Sequence, residues 1–369
     1  MESKLTLGKG WKLVSSIATD EVLVLKALER AKEGEQRFSW LCLDPASGRR
    51  VHLPVAAPLG GGGAVAYHKA GGEIVYAGSA GIMSLNLLTK REAVRIPLDH
   101  DWNDVCDLWL PPEGSPTLIY VLGEREESRS QLQARAKEAQ SGGPFLLRAK
   151  YSLHSWDMRT SASRLIARFD SMPVSVAVDW SAGAAYALVE NKGKKDLLKI
   201  ELVSGDASLI RSTDAVDALE ISPRHTVLAW RSYSTPRIIE TLEDGSERPL
   251  TDFGWYPAFS PNGRRFAFTV GDYEVWVKES DNAQPERVVS YPPELSWNMH
   301  DRIKWCRCGD HFAVCLAGSR AGVADKRPLM VVDCARKEVR VIDDLVFIGT
   351  LGERVWIDQK DSTVGKYLA

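Results

Sequence analysis

The chain has 369 residues, and 47 Lys and Arg stand against 49 Asp and Glu, giving a formal net charge of −2. This near balance gives no general reason to expect a nucleic-acid or membrane-surface partner, and no apolar run approaches the length of a membrane span. Hydrophobic residues make up 44% and charged residues 26% of the chain, as in an ordinary soluble globular protein.

A strand–turn–strand pattern recurs along the whole chain. Each copy joins two apolar strands through a polar or glycine turn, and the copies begin at Val14, Val65, Cys106, Ala177, Leu219, Ala258, Ile303 and Phe347. A second strand pair with an acidic or polar turn follows each copy, as at Asp157 and Gly205. A period of about 40–45 residues with four short strands per repeat indicates a β-propeller.

One repeat carries a recognisable motif. Phe259–Phe268, FSPNGRRFAF, resembles the motif of TolB-like propellers, which are related to WD repeats, and Ile221–Trp230 is a weaker copy. Trp156 and Asp157 resemble the pair that gives WD repeats their name, although that pair occurs once and the Gly-His pair of true WD repeats is missing. The resemblance spans nearly the whole chain and implies a fold, not an activity.

The predicted fold is therefore all-β, a single propeller domain over residues 1–369. We expect four-stranded blades, eight in number, with seven as the alternative. An open ring would leave an exposed sheet edge, so the N-terminal strand Lys4–Leu7 is predicted to complete the C-terminal blade formed by Leu345–Ile348 and Arg354–Ile357.

The third repeat contains a polar insertion, Glu124–Gly143. Over Glu124–Glu138 it has four acidic and four basic residues, and Leu132 is its only large apolar residue. Because no apolar stripe is available to dock a helix, the favoured interpretation is a solvated or disordered loop. The alternative is a segment that becomes ordered on a partner.

Aromatic residues cluster in connections that a propeller would place on one loop face, together with the insertion. Exposed aromatics are common anchors of protein interfaces. The predicted partner-binding residues are Trp102, Trp255, Tyr256, Tyr291 and Trp297.

Two His-Asp pairs occupy equivalent inter-blade positions. His100-Asp101 and His300-Asp301 both stand immediately before the first strand of a repeat, and an imidazole beside a carboxylate can act as a general base or a metal ligand. They are possible members of a polar site at the channel mouth, although Asp in such loops often bonds backbone amides. The Cys306–Cys315 region lacks the usual zinc spacing, so no metal and no cofactor are predicted.

The sequence contains no nucleophile elbow, Walker loop or dinucleotide-binding glycine motif. The predicted function is therefore a non-enzymatic scaffold that binds a protein partner through the loop face. The alternative is an enzyme or small-ligand-binding propeller with its site at the central channel mouth. The start MESKLTLGKG lacks the apolar region of a signal peptide, so a cytoplasmic location is expected; neither membrane nor nucleic-acid binding is predicted.

Overall fold

The computed structural model describes the chain in segments. These are residues 4–6, 11–18, 23–30, 36–43, 50–53, 65–68, 71–89, 91–111, 115–139, 149–213, 216–222, 227–231, 238–241, 246–270, 274–279, 283–290, 295–297, 303–305, 309–318, 329–336, 338–342, 345–351, 354–359 and 363–368. Two compact units are present. The central unit is Pro54–Ile221, and the terminal unit combines Met1–Leu53 with Ser222–Ala369.

The central unit contains three four-stranded antiparallel sheets, each with its strands in chain order. The first consists of β6 (Val65–His68), β7 (Glu73–Gly78), β8 (Gly81–Asn86) and β9 (Glu92–Pro97). The second consists of β10 (Asn103–Trp109), β11 (Thr117–Arg125), β12 (Ala149–Asp157) and β13 (Ala162–Phe169). The third consists of β14 (Pro173–Asp179), β15 (Ala184–Asn191), β16 (Lys194–Glu201) and β17 (Ala207–Thr213), and β18 (Val216–Ile221) ends the unit.

The terminal unit is built from the same kind of sheet. Its early strands are β1 (Lys4–Thr6), β2 (Trp11–Ala18), β3 (Leu23–Arg30), β4 (Gln36–Leu43) and β5 (Arg50–Leu53). Its later strands are β19 (Val227–Arg231), β20 (Ile238–Thr241), β21 (Glu247–Thr251), β22 (Trp255–Phe259), β23 (Phe266–Val270), β24 (Glu274–Lys278), β25 (Glu286–Ser290), β26 (Leu295–Trp297), β27 (Lys304–Trp305), β28 (His311–Gly318), β29 (Leu329–Asp333), β30 (Glu338–Ile342), β31 (Leu345–Leu351), β32 (Arg354–Gln359) and β33 (Thr363–Leu368). One of its sheets has the order β1–β33–β32–β31, with Leu5 opposite Val364.

Strand β11 explains how neighbouring sheets share a core. Its residues Leu118–Leu122 form a continuous apolar run, and all five are buried. Leu118 and Tyr120 pack with Ile82 of the preceding sheet, whereas Ile119 and Val121 pack with Ala185 of the following sheet. Because successive strand residues point to opposite faces, a strand between two sheets must be apolar on both faces.

The turn of the TolB-like motif forms as its residues predict. The Ser260 hydroxyl accepts a hydrogen bond from the Arg265 amide at 2.9 Å, and the Gly263 amide donates to the Ser260 carbonyl at 2.8 Å. Gly263 has a φ of 66°, a left-handed conformation that glycine adopts without steric cost. Side-chain bonding by Ser and a left-handed Gly therefore close this hairpin.

The polar insertion differs from the predicted solvated or disordered loop. Glu124 and Arg125 belong to β11, and Arg129–Ala139 form α1, the one α-helix among the described residues. Ser128 caps it: the Gln131 amide donates to the Ser128 hydroxyl at 3.3 Å, while the Ser128 amide donates to Gln131 Oε1 at 2.8 Å. This reciprocal capping box, together with Leu132, only 1% exposed, anchors the start of the helix. Within the described segments, α1 is neither long nor apolar enough to cross a membrane.

Candidate functional site

The site begins at the connection between β9 and β10. The Asp99 carbonyl accepts hydrogen bonds from the amides of Trp102, at 3.0 Å, and Asn103, at 2.7 Å. The Asp99 carboxylate also accepts the Asp101 amide at 2.9 Å. Asp at the start of a turn stabilises it by bonding backbone amides two or more residues on. His100 lies in this turn, and Asp104 follows it as the second residue of β10.

A buried ion pair lies directly behind this turn. Arg125 Nη1 pairs with Asp104 Oδ2, and the Arg125 side chain is 0% exposed. Arg125 Nη2 donates to the His100 carbonyl, and the Arg125 amide donates to the Trp102 carbonyl at 2.8 Å. One buried guanidinium thus fixes both the carboxylate and the backbone of the turn. A charge buried in this way is tolerated because it is paired and hydrogen-bonded.

Helix α1 contacts the same turn from the other side. The Arg129 amide, at the start of the helix, donates to the Asp101 carbonyl at 2.9 Å and to Asp101 Oδ1 at 3.1 Å. A carboxylate at a helix N-terminus is favoured because it bonds unpaired amides and complements the helix dipole. The Arg129 guanidinium contacts His100 Nε2 through Nη1.

The environment of His100 favours its neutral form. Burial lowers the pKa of the imidazole, the positive charges of Arg129 and Arg125 lower it further, and Asp104 and Asp101 act in the opposite direction. A guanidinium has only donors, so we assign Nε2 as the acceptor and the ring proton to Nδ1.

A shallow cleft opens between the first and second sheets of the central unit. Its lining residues are Ala77, Gly78, Gly81, Leu98, His100, Asn103, Asp104 and Val105. A Cβ at Gly81 would stand 2.0 Å from the Ile96 carbonyl oxygen, and φ there is 124°. Only glycine fits that position, because a side chain there would collide with the backbone at Ile96 and Leu98.

The free polar atoms of the cleft belong to the ion pair. Asp104 Oδ1 is buried and has no hydrogen-bond partner among the described residues, and the same is true of Arg125 Nε. A buried acceptor left unpaired costs about 1–3 kcal/mol. One carboxylate oxygen of Asp104 is therefore held by Arg125, and the other is buried without a hydrogen-bond partner among the described residues.

Cys106 follows two residues after Asp104 but does not extend the site chemically. Burial, together with the nearby negative charges of Asp104 and Asp107, raises the pKa of its thiol to about 12. The nucleophile of cysteine chemistry is the thiolate, so this thiol is inert at neutral pH. No group of three or more His, Cys, Asp or Glu side chains suited to a metal occurs among the described residues.

The structure brings together only part of the predicted site. His100 lines the cleft, and Asp101 and Trp102 belong to the same turn, where the exposed fraction of Trp102 is 42%. Trp255 is partly buried at the start of β22, Tyr256 also belongs to β22, and Trp297 ends β26. Tyr291, His300 and Asp301 lie outside the described residues. A shared aromatic face for binding a partner is untested.

Sequence reasoning missed Asp104, Arg125 and Arg129 as members of the site. The sequence places Asp104 in a connection between two repeats and the two arginines in the charged insertion, and neither position by itself indicates a site. One signal was present in the sequence. Arg125 comes only three residues after the apolar run of β11, with one glycine and one glutamate between them, in LIYVLGER. A charge at the end of a buried strand requires a partner.

No protein-family model and no curated protein sequence matches the chain. Among solved structures, it is similar to an oligogalacturonate lyase in complex with manganese, at 11% identity and a TM-score of 0.56, over 85% of this chain and 94% of the other. A puromycin hydrolase mutant matches at 12% identity and a TM-score of 0.61, over 89% and 53% of the two chains, and the tricorn protease at 10% and 0.51, over 96% and 42%.

These matches define the class of the protein by its fold. The chain is nearly all β, is built of four-stranded antiparallel sheets, and has structural neighbours that are propellers. The resemblance to TolB-like β-propellers, predicted from Phe259–Phe268, is confirmed. Identities of 10–12% carry the fold alone, and the chain spans only about half of the puromycin hydrolase and less of the tricorn protease.

The predicted non-enzymatic scaffold function is wrong. The lyase, the hydrolase and the protease among the structural neighbours are enzymes, and this finding favours the alternative of an enzyme or small-ligand binder. The scaffold prediction depended on the absence of sequence motifs. Propeller enzymes can assemble their sites from loops of separate strands, which leave no contiguous motif.

Proposed function

We propose that the chain is an enzyme whose active site is the cleft at the start of β10. Asp104 would act there as the proton acceptor and the neutral His100 as a hydrogen-bond donor. The observation that carries the proposal is the buried, unpaired Oδ1 of Asp104 beside the cleft. The propeller around it is proposed to have eight blades and to be closed by the N- and C-terminal strands, a view supported by the β1–β33 pairing.

The polar groups suggest the class of substrate. Asp104 Oδ1 can accept one hydrogen bond, and His100 Nδ1–H can donate one. Such a pair fits a hydroxyl adjacent to another oxygen, as in a sugar or a sugar acid. The match to a structure named oligogalacturonate lyase makes oligogalacturonate a suitable first candidate.

The proposed chemistry is general acid–base catalysis. In an elimination, the proton on the carbon next to the substrate's carboxylate would pass to Asp104 Oδ1, and His100 Nδ1–H would stabilise the carboxylate oxygen on which negative charge develops. As the new C=C bond forms, the C–O bond at the next carbon would break and the leaving oxygen would take a proton from water. Positioned acid–base groups contribute about 10²–10⁴-fold to rate. Arg125 would hold the carboxylate in place through its other oxygen.

The test uses oligogalacturonate, galacturonate and galactose with the full chain. We expect at least one of them to raise the melting temperature, and one to give new signals when incubated with the protein and followed by proton NMR. Asp104→Asn should lower turnover about 10²–10⁴-fold, whereas Asp206→Asn, at an exposed position of the same unit, should not change it. If Asp104→Asn converts the compounds as fast as the unchanged protein, Asp104 is not the base.

A further inference from the structure

We propose that Arg129, supplied by the helical insertion, is a positioning residue that holds His100 as the neutral Nδ1–H tautomer and so couples helix α1 to the cleft. This inference rests on the proposed function for its consequence at the active site. Its structural part, the state of the His100 ring, can be measured without any substrate.

The contact itself selects the protonation state. Arg129 Nη1 lies against His100 Nε2. Every guanidinium nitrogen is a donor, so Nε2 can meet it favourably only as an acceptor with a free lone pair. An imidazolium would instead place N–H against N–H and positive charge against positive charge. The contact therefore favours neutral imidazole over imidazolium, and Nδ1–H over Nε2–H.

The backbone of Arg129 is fixed independently of its side chain. Its amide is bonded to the Asp101 carbonyl and carboxylate, Ser128 and Gln131 cap the helix, and the buried Leu132 anchors the first turn. Because the backbone of Arg129 is already ordered, only its side chain must be ordered to hold the contact with His100. The insertion is thus built to present this guanidinium to the turn.

Arg125 and Arg129 contact different parts of His100. Arg125 donates to the His100 carbonyl and fixes the backbone, whereas Arg129 contacts the ring. The charged groups that face His100 are these two, from β11 and α1, together with Asp101 and Asp104 from its own connection. The first sheet contributes Ala77, Gly78 and Gly81 to the cleft, and the connection after β9 contributes Leu98; none of these residues titrates.

The consequence for the site is directional. With Nε2 occupied by Arg129, the remaining ring nitrogen, Nδ1–H, is the one left to donate towards a ligand. Loss of Arg129 would let the ring exchange tautomers and would raise the His100 pKa, because a positive neighbour disfavours a second positive charge. Protonation of His100 at acidic pH would break the contact between the ring and the Arg129 guanidinium, while the bonds from the Arg129 amide to Asp101 would still hold the helix to the turn.

The experiment is NMR of protein labelled with ¹⁵N-histidine, in which long-range ¹H–¹⁵N correlations distinguish the tautomers, and His100→Gln assigns the signal. We expect the unchanged protein to show an Nδ1–H ring at neutral pH that titrates below an ordinary histidine. In Arg129→Met the ring should show mixed tautomers and titrate at higher pH. Arg135→Met, which alters the same helix at a residue paired with Glu127, should behave like the unchanged protein.

The tautomer and the titration of His100 both test the proposed role of Arg129. An Nε2–H ring in the unchanged protein, or an identical titration in Arg129→Met, would overturn the proposal. If Arg129→Met does not fold, Arg129→Lys keeps a positive donor and should retain the lowered pKa; an ordinary pKa in that variant would count against the proposal. If the tautomer changes but turnover of the active compound does not, the coupling to the cleft is wrong while the proposed function stands.

Discussion

The connections that follow β11 and β15, the second strands of two sheets in the central unit, differ in length. The comparison shows how a longer connection can bury a basic residue that a short one leaves exposed. In the second sheet Val105 pairs with Leu122, and in the third Pro173 pairs with Val189, with a register shift just beyond each pair on the first strand. Three residues further along the second strand, one sheet has Arg125 and the other Lys192. Counted from the register shift, the same position therefore carries a basic residue in both sheets, although Lys192 lies just beyond the end of β15.

The two basic residues have different surroundings. Lys192 is exposed in a two-residue turn with φ of 50°, followed by Gly193 with φ of 79°. Two left-handed residues are what a tight hairpin turn requires. Arg125 instead remains in β11, opposite Ala149 of β12, and is covered as the chain continues into α1. The position that is exposed in the third sheet is therefore buried in the second. A buried guanidinium requires a partner, and Arg125 has Asp104.

The largest test of this comparison replaces the two basic residues in the same way. Arg125→Met removes the partner of a buried carboxylate, which typically costs about 3–5 kcal/mol. Lys192→Met removes an exposed charge and should change the free energy of unfolding by no more than about 0.5 kcal/mol. Denaturant unfolding of both variants measures the difference. Equal losses would mean that Arg125 is as solvated as Lys192.

A second test concerns the anchoring of α1. Leu132→Ala should cost about 2–3 kcal/mol, at the low end for a buried leucine, because it is the only large apolar residue of Glu124–Glu138. Leu88→Ala is the matched control, since Leu88 is 85% exposed. Denaturant unfolding of both variants gives the two costs. If the two changes cost the same, the helix is not packed, and the insertion behaves as the loop that its composition suggested.

The fold was more predictable than the site because its signals are local. A glycine shortly after Ser260, which can adopt a left-handed conformation, and the alternating apolar residues both occur within ten residues of sequence. Together they specify the hairpin of Phe259–Phe268. The helix α1 was missed although its capping pair, Ser128 and Gln131, has the spacing of a helix start. Charge content outweighed that signal, and a single leucine is too little for an apolar stripe.

The site was only half predictable for a different reason. His100 and Asp101 are adjacent in the chain and could be recognised as a pair. Asp104 and Arg125 are separated by a full hairpin, and their pairing depends on the register of β10 with β11, where Asp104 is opposite Gly123. No spacing rule in a single sequence specifies that register, so the partner of the carboxylate is apparent only in the folded chain.

The smallest expected effect is that of removing the helix cap. This test distinguishes the contribution of Ser128 from those of Leu132 and Asp101. Ser128→Ala removes the hydroxyl that accepts the Gln131 amide, which typically costs about 1 kcal/mol. Ser204→Ala is the control, because Ser204 makes a similar bond, to the Asp206 amide at 3.1 Å, in a turn that precedes no helix. We expect faster amide exchange in the first turn of α1 for the Ser128 variant and unchanged exchange there for the control. Since Arg129 is the first residue of that turn, loosening it should also weaken the contact with His100. A Ser128 variant with unchanged exchange would show that Leu132 and Asp101 alone hold the helix.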